Sequence, residues 1–208
     1  MVKLIIKPSR NHEAELWGQG ASLVAGVDEV GRGSWAGPVT AAAVILPRNL
    51  DLAGVRDSKL LSPRQRHQAA RLIKSRAVAI GVGWASPAEI DSKGLNMALR
   101  LCGLRALARL HFDAIILDGR DDYLEVGLPT LTVIKGDQAC LNVAAASIIA
   151  KVARDNYMAR MHELYPDYGF MTNVGYGTAQ HTAALVSGLT PIHRRSYKPV
   201  RLAESYGY

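Results

Sequence analysis

The sequence lacks the features that would mark a membrane-spanning, secreted or zinc-binding protein. No apolar run approaches the roughly 18 residues that span a bilayer, and charged residues follow the start too closely for a signal peptide. The only two cysteines, Cys102 and Cys140, are far apart and have no C-x-x-C spacing, which argues against a disulfide framework and a zinc site. We therefore predict a cytoplasmic protein without membrane contact, in which both cysteines are small buried residues.

Acidic residues are the scarcer charge, with 18 acids against 25 lysines and arginines and a net charge of +7. This excess suits a protein that binds a polyanion, because neutralising phosphates releases counterions. Ordinary surface lysines and arginines would give the same total. A hydrophobic content of 49% excludes a disordered chain. The length, without repeats or linkers, predicts a single domain over residues 1–208, and we expect a monomer.

Five short apolar runs bounded by turn residues predict five strands. They lie at residues 23–30, 39–46, 77–84, 114–117 and 131–134. Helices are predicted after Ser62 and Ser86, each followed by proline, and over residues 95–110, 141–164 and 178–186. Strands joined by turns, followed by strands alternating with helices, favour an α/β fold with a mixed sheet flanked by helices. Residues 1–20 would form an N-terminal arm, and residues from about 178 to 208 a basic helical segment.

Three of the five predicted strands end in carboxylates. Asp28 and Glu29 stand at the end of the first, Asp118 follows the fourth and Asp137 follows the fifth. Acids gathered at one edge of a sheet would repel one another, and divalent cations would remove that cost. Mg²⁺ and Mn²⁺ prefer oxygen ligands, and two such ions can activate water for phosphodiester hydrolysis. Taken singly, each acid is more simply explained as a turn or capping residue, and the case for catalysis is that the acids recur at strand ends.

A glycine-flanked arginine follows the first acidic pair. Gly31 and Gly33 permit close approach of the backbone to a ligand, and Arg32 could contact phosphate. Tyr176 is also flanked by glycines, in VGYGT, where an aromatic ring is free to project. A simple turn and a packed tyrosine are the alternatives.

The chain resembles bacterial ribonuclease HII in a series of ordered motifs over residues 20–201. These are GVDEVGRGSWAGPVTAAAVIL, RDSKLLS, ILDGR, VIKGDQACLNVAAASIIAKVARD, YPDYGFMTNVGYGTAQH and HRRSYKPV. One departure is Ser34-Trp35, where the family commonly has Pro-Leu. The probability that so many motifs agree in the same order by chance is very small.

The resemblance implies the ribonuclease H-like fold and a catalytic site of four carboxylates. These carboxylates are Asp28, Glu29, Asp118 and Asp137, and they would bind two Mn²⁺ or Mg²⁺ ions. The substrates would be RNA/DNA hybrids and duplex DNA with embedded ribonucleotides, nicked on the 5′ side to give 3′-hydroxyl and 5′-phosphate ends. The Gly31-Arg32-Gly33 backbone would read the 2′-hydroxyl, and Tyr176 would stack on the next deoxyribose. The role would be ribonucleotide removal in replication and repair, although no motif identifies a contact with replication or transcription complexes.

Three further polar residues could contact phosphate: Lys59, Ser147 and Lys151. A solvated lysine and a helix-packing serine are equally good interpretations. Asp155 lies four residues after Lys151 on a predicted helix, which favours a salt bridge over metal ligation. We therefore leave Asp155 out of the metal site.

The C-terminal segment is basic and contains several aromatic residues. We predict a non-specific phosphate-binding patch there, formed by Arg194, Arg195, Lys198 and Arg201. His181 and His193 have no obvious partner in the sequence that would make either one a general base.

Two alternatives compete with this interpretation. Ribonuclease HIII shares the fold but typically has a separate N-terminal substrate-binding domain, for which the roughly 20 residues before the first strand are too few. A nucleic-acid-binding module that has lost catalysis is the other alternative. Retention of all four acids argues against it.

Overall fold

The computed structural model describes residues 8–50 and 61–206, and within them the chain forms one mixed five-stranded sheet. The strand order is β3-β2-β1-β4-β5, with β1 antiparallel to β2, β2 antiparallel to β3, and β4 parallel to both β1 and β5. The strands are β1 (Val24–Val30), β2 (Val39–Ile45), β3 (Ala79–Ala85), β4 (Ala114–Asp118) and β5 (Thr130–Val133). The predicted fold class and all five strands are thus confirmed.

Helices cover both faces of the sheet. In chain order they are α1 (Asn11–Gly18), α2 (Pro63–Arg76), α3 (Pro87–Lys93), α4 (Leu95–Leu107), α5 (Gly136–Ala139), α6 (Leu141–Leu164), α7 (Phe170–Asn173), α8 (Ala179–Leu185) and α9 (Lys198–Tyr206), with a short 3-10 helix at Pro166–Tyr168. Ser62 and Ser86 begin α2 and α3 with capping boxes, as the serine-proline pairs predict. No helix in the described ranges is both long enough and apolar enough to cross a bilayer.

The two faces of β2 pack against different helices. Ala41 and Ala43 belong to the cluster that includes α4, whereas Ala42 and Val44 belong to the cluster that includes α2 and α6. Because successive side chains point to opposite faces, a strand covered on both sides must be apolar throughout. All seven β2 residues are buried, and all of them except Thr40 are apolar. The small alanines let both helix layers approach the strand closely.

Glycines bring the helices into backbone contact with the sheet. A Cβ at Gly81 or Gly83 of β3 would lie within 2 Å of a carbonyl oxygen of α4, namely Ala106 O (1.8 Å) or Cys102 O (1.9 Å). A Cβ at Gly26 of β1 would lie 2.3 Å from the Asn142 carbonyl carbon on α6. Both helices therefore have fixed positions against the strands, and α6 is held against the strand that carries Asp28 and Glu29.

Part of the predicted N-terminal arm is an ordered helix rather than an extension. In α1, Glu13 is fully buried, and its carboxylate accepts a hydrogen bond of 2.9 Å from the Asn142 amide, in the first turn of α6. Ser9 adds a bridge to Cys140. Cys140 and Cys102 are both fully buried, as predicted, and burial raises the pKa of each thiol to about 12.

Candidate active site

Parallel pairing of β1 with β4 brings acids that are distant in sequence to one edge of the sheet. The last paired residues are Val27 and Leu117, so Asp28 and Asp118 follow side by side. Asp28 and Glu29 lie within the last residues of β1, as the predicted strand over residues 23–30 implies, and they are paired with β2 through Asp28↔Ala42 and Glu29↔Ala41. The acids are therefore held by sheet hydrogen bonds rather than by a loop.

The strand pleat sends Asp28 and Glu29 to opposite faces of the sheet. Asp28 faces α6, where it shares a hydrogen bond with Ser147, and it also accepts 2.7 Å from the Glu29 amide. Glu29 accepts a hydrogen bond from the Tyr123 hydroxyl (3.0 Å) and one from Arg32 Nη1 (3.0 Å). Each carboxylate is thus oriented by partners that come from different parts of the chain.

Asp118 and Asp137 are linked through the turn after β5. The Gly136 amide donates to Asp118 Oδ1 at 2.7 Å, in a turn where Lys135 adopts a left-handed conformation (φ 58°). Asp137 follows directly in the first turn of α5 and is only 3% exposed. The charge of Asp137 reaches Asp28, which means that all four predicted acids belong to one electrostatic neighbourhood.

Burial and repulsion from neighbouring acids disfavour ionisation of Asp28 and Glu29. The pKa of Asp28 is well above its usual range, mainly because of burial and then because of the charges of Glu29 and Asp118. Burial also raises the pKa of Glu29, although Arg32 and Tyr123 act in the opposite direction. Removing this cost requires either protons or added positive charge.

The donor chemistry of the four acids fits hard divalent cations, because every available ligand atom is an oxygen. In the part of the chain that the structure describes, no three acidic, imidazole or thiol groups already surround one point. Carboxylate oxygens instead accept protein donors: the Glu29 amide, Arg32, Tyr123 and the Gly136 amide. Binding of a cation would exchange some of these donors for the ion.

A cleft of about 400 Å³ opens over the carboxylates. It is lined by Asp28, Glu29, Val30, Arg32, Asp118, Ser147, Lys151 and Tyr176. The cleft thus brings together three of the four predicted acids and most of the predicted substrate-binding residues. Asp137 is buried and does not line the cleft. Lys59 lies outside the described residues.

Lys151 pairs with Asp155 as its spacing predicts. Lys151 Nζ lies 2.6 Å from Asp155 Oδ1, and Arg66 of α2 donates to the other carboxylate oxygen at 3.3 Å. Asp155 is therefore paired with two positively charged side chains, Lys151 and Arg66, which supports leaving it out of the metal site. The pairing also holds the Lys151 ammonium at the wall of the cleft.

The loop from Gly31 to Pro38 packs around a buried arginine of α6, Arg154. This guanidinium donates to Pro38 O (2.9 Å), Ala36 O (3.1 Å), Ser34 Oγ (2.8 Å) and Val174 O (2.9 Å). Gly31 has φ 92°, and a Cβ there would lie 2.3 Å from Arg154 Nε. Only glycine fits at this position, and Arg154 ties the Gly31–Gly33 loop to the segment that carries Tyr176.

Ser34 and Trp35, the departure from the family pattern, are part of this packing. Ser34 Oγ donates to Gly31 O at 3.2 Å while it accepts from Arg154. The Trp35 amide donates to Gly175 O at 2.8 Å, and its ring contacts Gly177 and His181. Both residues therefore fasten the loop to the segment around Tyr176.

The predicted phosphate patch is wrong for Arg194. This side chain is fully buried, and its guanidinium donates to Gly37 O and Arg32 O, both at 2.9 Å. It cannot reach a phosphate because loop carbonyls enclose it. Arg195, Lys198 and Arg201 are exposed, although Arg195 pairs with Glu204.

The two histidines, which have no obvious partner in the sequence, contact each other. Their Nε2 atoms are 3.0 Å apart, and both rings are buried. The Thr190 amide donates to His193 Nδ1 at 2.9 Å, which makes Nε2 the protonated nitrogen of His193. His181 then accepts at Nε2 and donates from Nδ1 to Tyr176 O at 3.0 Å. The pair holds the Tyr176 backbone and is not a general base.

Sequence reasoning missed Tyr123, Arg154 and the structural role of Arg194. Tyr123 lies between predicted elements, and no periodicity distinguishes it. Arg154 occupies an apolar face of α6, where a lone arginine among small residues is the one signal that could have identified it. The contacts of all three residues are between segments far apart in sequence.

The site can now be compared with known proteins. The family model described as ribonuclease HII matches residues 25–200. The chain belongs to the ribonuclease HII family. It is 50% identical over 205 residues to the ribonuclease HII of Synechococcus sp. (strain JA-3-3Ab), covering 96% of this chain and 92% of that one. The ribonuclease HII of Streptomyces avermitilis is 49% identical over 181 residues, covering 86% and 78%.

A solved structure agrees with this assignment. The ribonuclease H2 of Pyrococcus horikoshii OT3 superposes with a TM-score of 0.78 at 27% identity, covering 88% of this chain and 98% of that chain. Membership makes this chain a type 2 ribonuclease H, an endonuclease that acts on RNA/DNA hybrids. The two alternatives weighed from the sequence, ribonuclease HIII and a non-catalytic binding module, are not supported.

Proposed function

We propose that the chain nicks duplex DNA on the 5′ side of embedded ribonucleotides and hydrolyses the RNA strand of hybrids by a two-metal-ion reaction. The observation that carries the proposal is the cleft that is lined by Asp28, Glu29 and Asp118 together with Tyr176 and Lys151. A site that both cuts phosphodiesters and requires a ribose needs acids and a reader of the 2′-hydroxyl close together. Removing ribonucleotides from DNA during replication and repair is the role that follows.

In this proposal, Asp28, Asp118 and Asp137 hold Mg²⁺ or Mn²⁺, and Glu29 helps to position the second ion and the attacking water. Bound divalent ions would supply positive charge for the attacking and leaving oxygens. Tyr123 and Arg32 keep the Glu29 carboxylate oriented by donating to its two oxygens. The products would be 3′-hydroxyl and 5′-phosphate ends.

Substrate would be held by residues beside the acids. Lys151 and Ser147, which line the same cleft, would contact a phosphate beside Asp28, and the Gly31-Arg32-Gly33 backbone would read the 2′-hydroxyl. Tyr176 is 39% exposed and its ring lies beside Gly33, so the ring could stack on the deoxyribose that follows the ribonucleotide. This arrangement would recognise the ribose and the deoxyribose that follows it, rather than a base.

Metal dependence provides the test of the proposal. Protein freed of metal ions with a chelator should not cut a duplex that contains one ribonucleotide. Adding Mg²⁺ or Mn²⁺ should restore a single nick on the 5′ side of the ribonucleotide, and the position of the nick can be mapped by separating the products on a sequencing gel. An all-DNA duplex of the same sequence is the control and should stay uncut. Full cleavage by the chelated protein would contradict the proposal.

A further inference from the structure

The carbonyl of Arg32 is turned into the protein by two donors. Arg194 Nη1 donates to Arg32 O at 2.9 Å, and the Tyr197 hydroxyl donates to the same oxygen at 2.5 Å. A carbonyl oxygen has two lone pairs, and both are engaged here. The orientation of the peptide between Arg32 and Gly33 is therefore fixed from the protein side.

Fixing this carbonyl also fixes the amide of Gly33. In a trans peptide the C=O of one residue and the N–H of the next point in opposite directions, and the described residues contain no cis peptide. The Gly33 N–H therefore points away from Arg194 and Tyr197. Gly33 is exposed, lies beside the Tyr176 ring and donates to no acceptor among the described residues.

The anchor behind the Arg32 carbonyl is rigid. Arg194 is fully buried, donates from Nε to Gly37 O at 2.9 Å, and shares Nη1 with the Tyr197 hydroxyl at 2.9 Å. Its guanidinium also lies 5.1 Å from the centre of the Tyr197 ring. The Tyr197 hydroxyl accepts a hydrogen bond from Arg194 and donates one to Arg32 O, so it connects the buried guanidinium to the Gly31–Gly33 loop.

We propose that Tyr197 and Arg194 are positioning residues for ribose recognition: they hold the Arg32–Gly33 peptide so that the Gly33 N–H faces the cleft and donates to the 2′-hydroxyl. The inference rests on the proposed function, in which this loop reads the ribose. It assigns a part in ribose selectivity to Arg194 and Tyr197 of the C-terminal segment, which act through the Arg32 carbonyl and have no hydrogen bond to the four carboxylates.

Tyr197→Phe removes only the hydroxyl and tests the inference directly. We expect kcat/KM on a duplex with one ribonucleotide to fall about fivefold, the effect of one net hydrogen bond. The inhibition constant of an all-DNA duplex should stay unchanged, because that duplex offers no 2′-hydroxyl. Tyr168→Phe is the matched control, since its hydroxyl donates to Gly188 O at 2.7 Å, away from the loop, and both constants should stay at the unaltered values.

Two results would overturn the inference: unaltered kcat/KM in Tyr197→Phe, or a parallel weakening of the all-DNA duplex, which would indicate a general loss of structure. Arg194→Lys provides a second measurement, because lysine keeps the charge but cannot hold Gly37 O and Arg32 O together. Its effect should be less than additive with that of Tyr197→Phe, and full additivity would also count against the inference. Cleavage of the all-DNA duplex by the unaltered chain would instead overturn the proposed function.

Discussion

At the scale of single residues, the grouped carboxylates are destabilising when they are ionised without a cation beside them. Burial and its neighbours raise the pKa of Asp28, so the folded chain favours the neutral form of this side chain. We therefore expect Asp28→Asn to raise the free energy of unfolding by about 1 kcal/mol without metal, because asparagine can still accept the hydrogen bonds from Glu29 and Ser147. The same change should lower cleavage at least about 100-fold, measured with chemical denaturation and a single-ribonucleotide duplex.

Asp113 is a control for Asp28, because its pKa is lowered rather than raised in the folded chain. Its carboxylate accepts from the amides of Ser22 and Leu23 at 2.7 and 2.8 Å, and these bonds lower its pKa. Asp113→Asn should therefore destabilise the fold while leaving cleavage unchanged. A loss of stability in Asp28→Asn as well would contradict the account of repulsion given above.

At the scale of secondary-structure elements, the contact between β3 and α4 leaves no space for a side chain. A Cβ at Gly83 would lie 1.9 Å from Cys102 O, a backbone atom that cannot rotate away. We expect Gly83→Ala to lower the free energy of unfolding by about 3 kcal/mol, measured in urea. Gly18→Ala is the control because nothing lies within 4 Å of its Cβ position, and an equal loss there would contradict the packing argument.

The elements that the sequence predicted well are those with local signals. Helix α6 begins at Leu141 and ends at Leu164 as predicted, and the capping serines begin α2 and α3. Both ends of β3 and the C-terminal end of α4 differ by one to three residues from the prediction, because sheet pairing and packing decide where those elements end. The grouping of the acids followed from strand order, since parallel β1 and β4 end at the same edge.

Long-range polar contacts could not be predicted in this way. The Arg194 and Arg154 guanidiniums bind carbonyls more than 100 residues away, and the pairing of His181 with His193 depends on how α8 and the C-terminal segment fold together. No local spacing encodes such contacts. The sequence alone therefore predicts phosphate ligands throughout the basic segment, which is wrong for Arg194.

At the scale of the whole molecule, the buried histidine pair makes stability depend on pH. Burial and the neighbouring His181 lower the pKa of His193 from 6.5 to about 4. The unfolded chain thus binds a proton more readily, so this stabilisation is complete above pH 6.5 and is lost as the pH falls toward 4. The loss should be on the order of 3 kcal/mol, measured as the free energy of unfolding at several pH values.

His193→Gln should flatten this part of the pH profile, which separates the histidine from carboxylates that titrate nearby. His111 is exposed, so His111→Gln is the control and should keep the profile of the unaltered chain. An unaltered slope in His193→Gln would show that other groups cause the acid sensitivity.

The central position of β1 holds the backbone of Asp28 and Glu29 in place. β1 is paired on one side with β2 and on the other with β4, and Gly26 lets α6 pack directly against its face. Its amides should be among the slowest to exchange with deuterium, because only cooperative unfolding frees them. The backbone beneath Asp28 therefore keeps its position through the local openings that expose the surface loops.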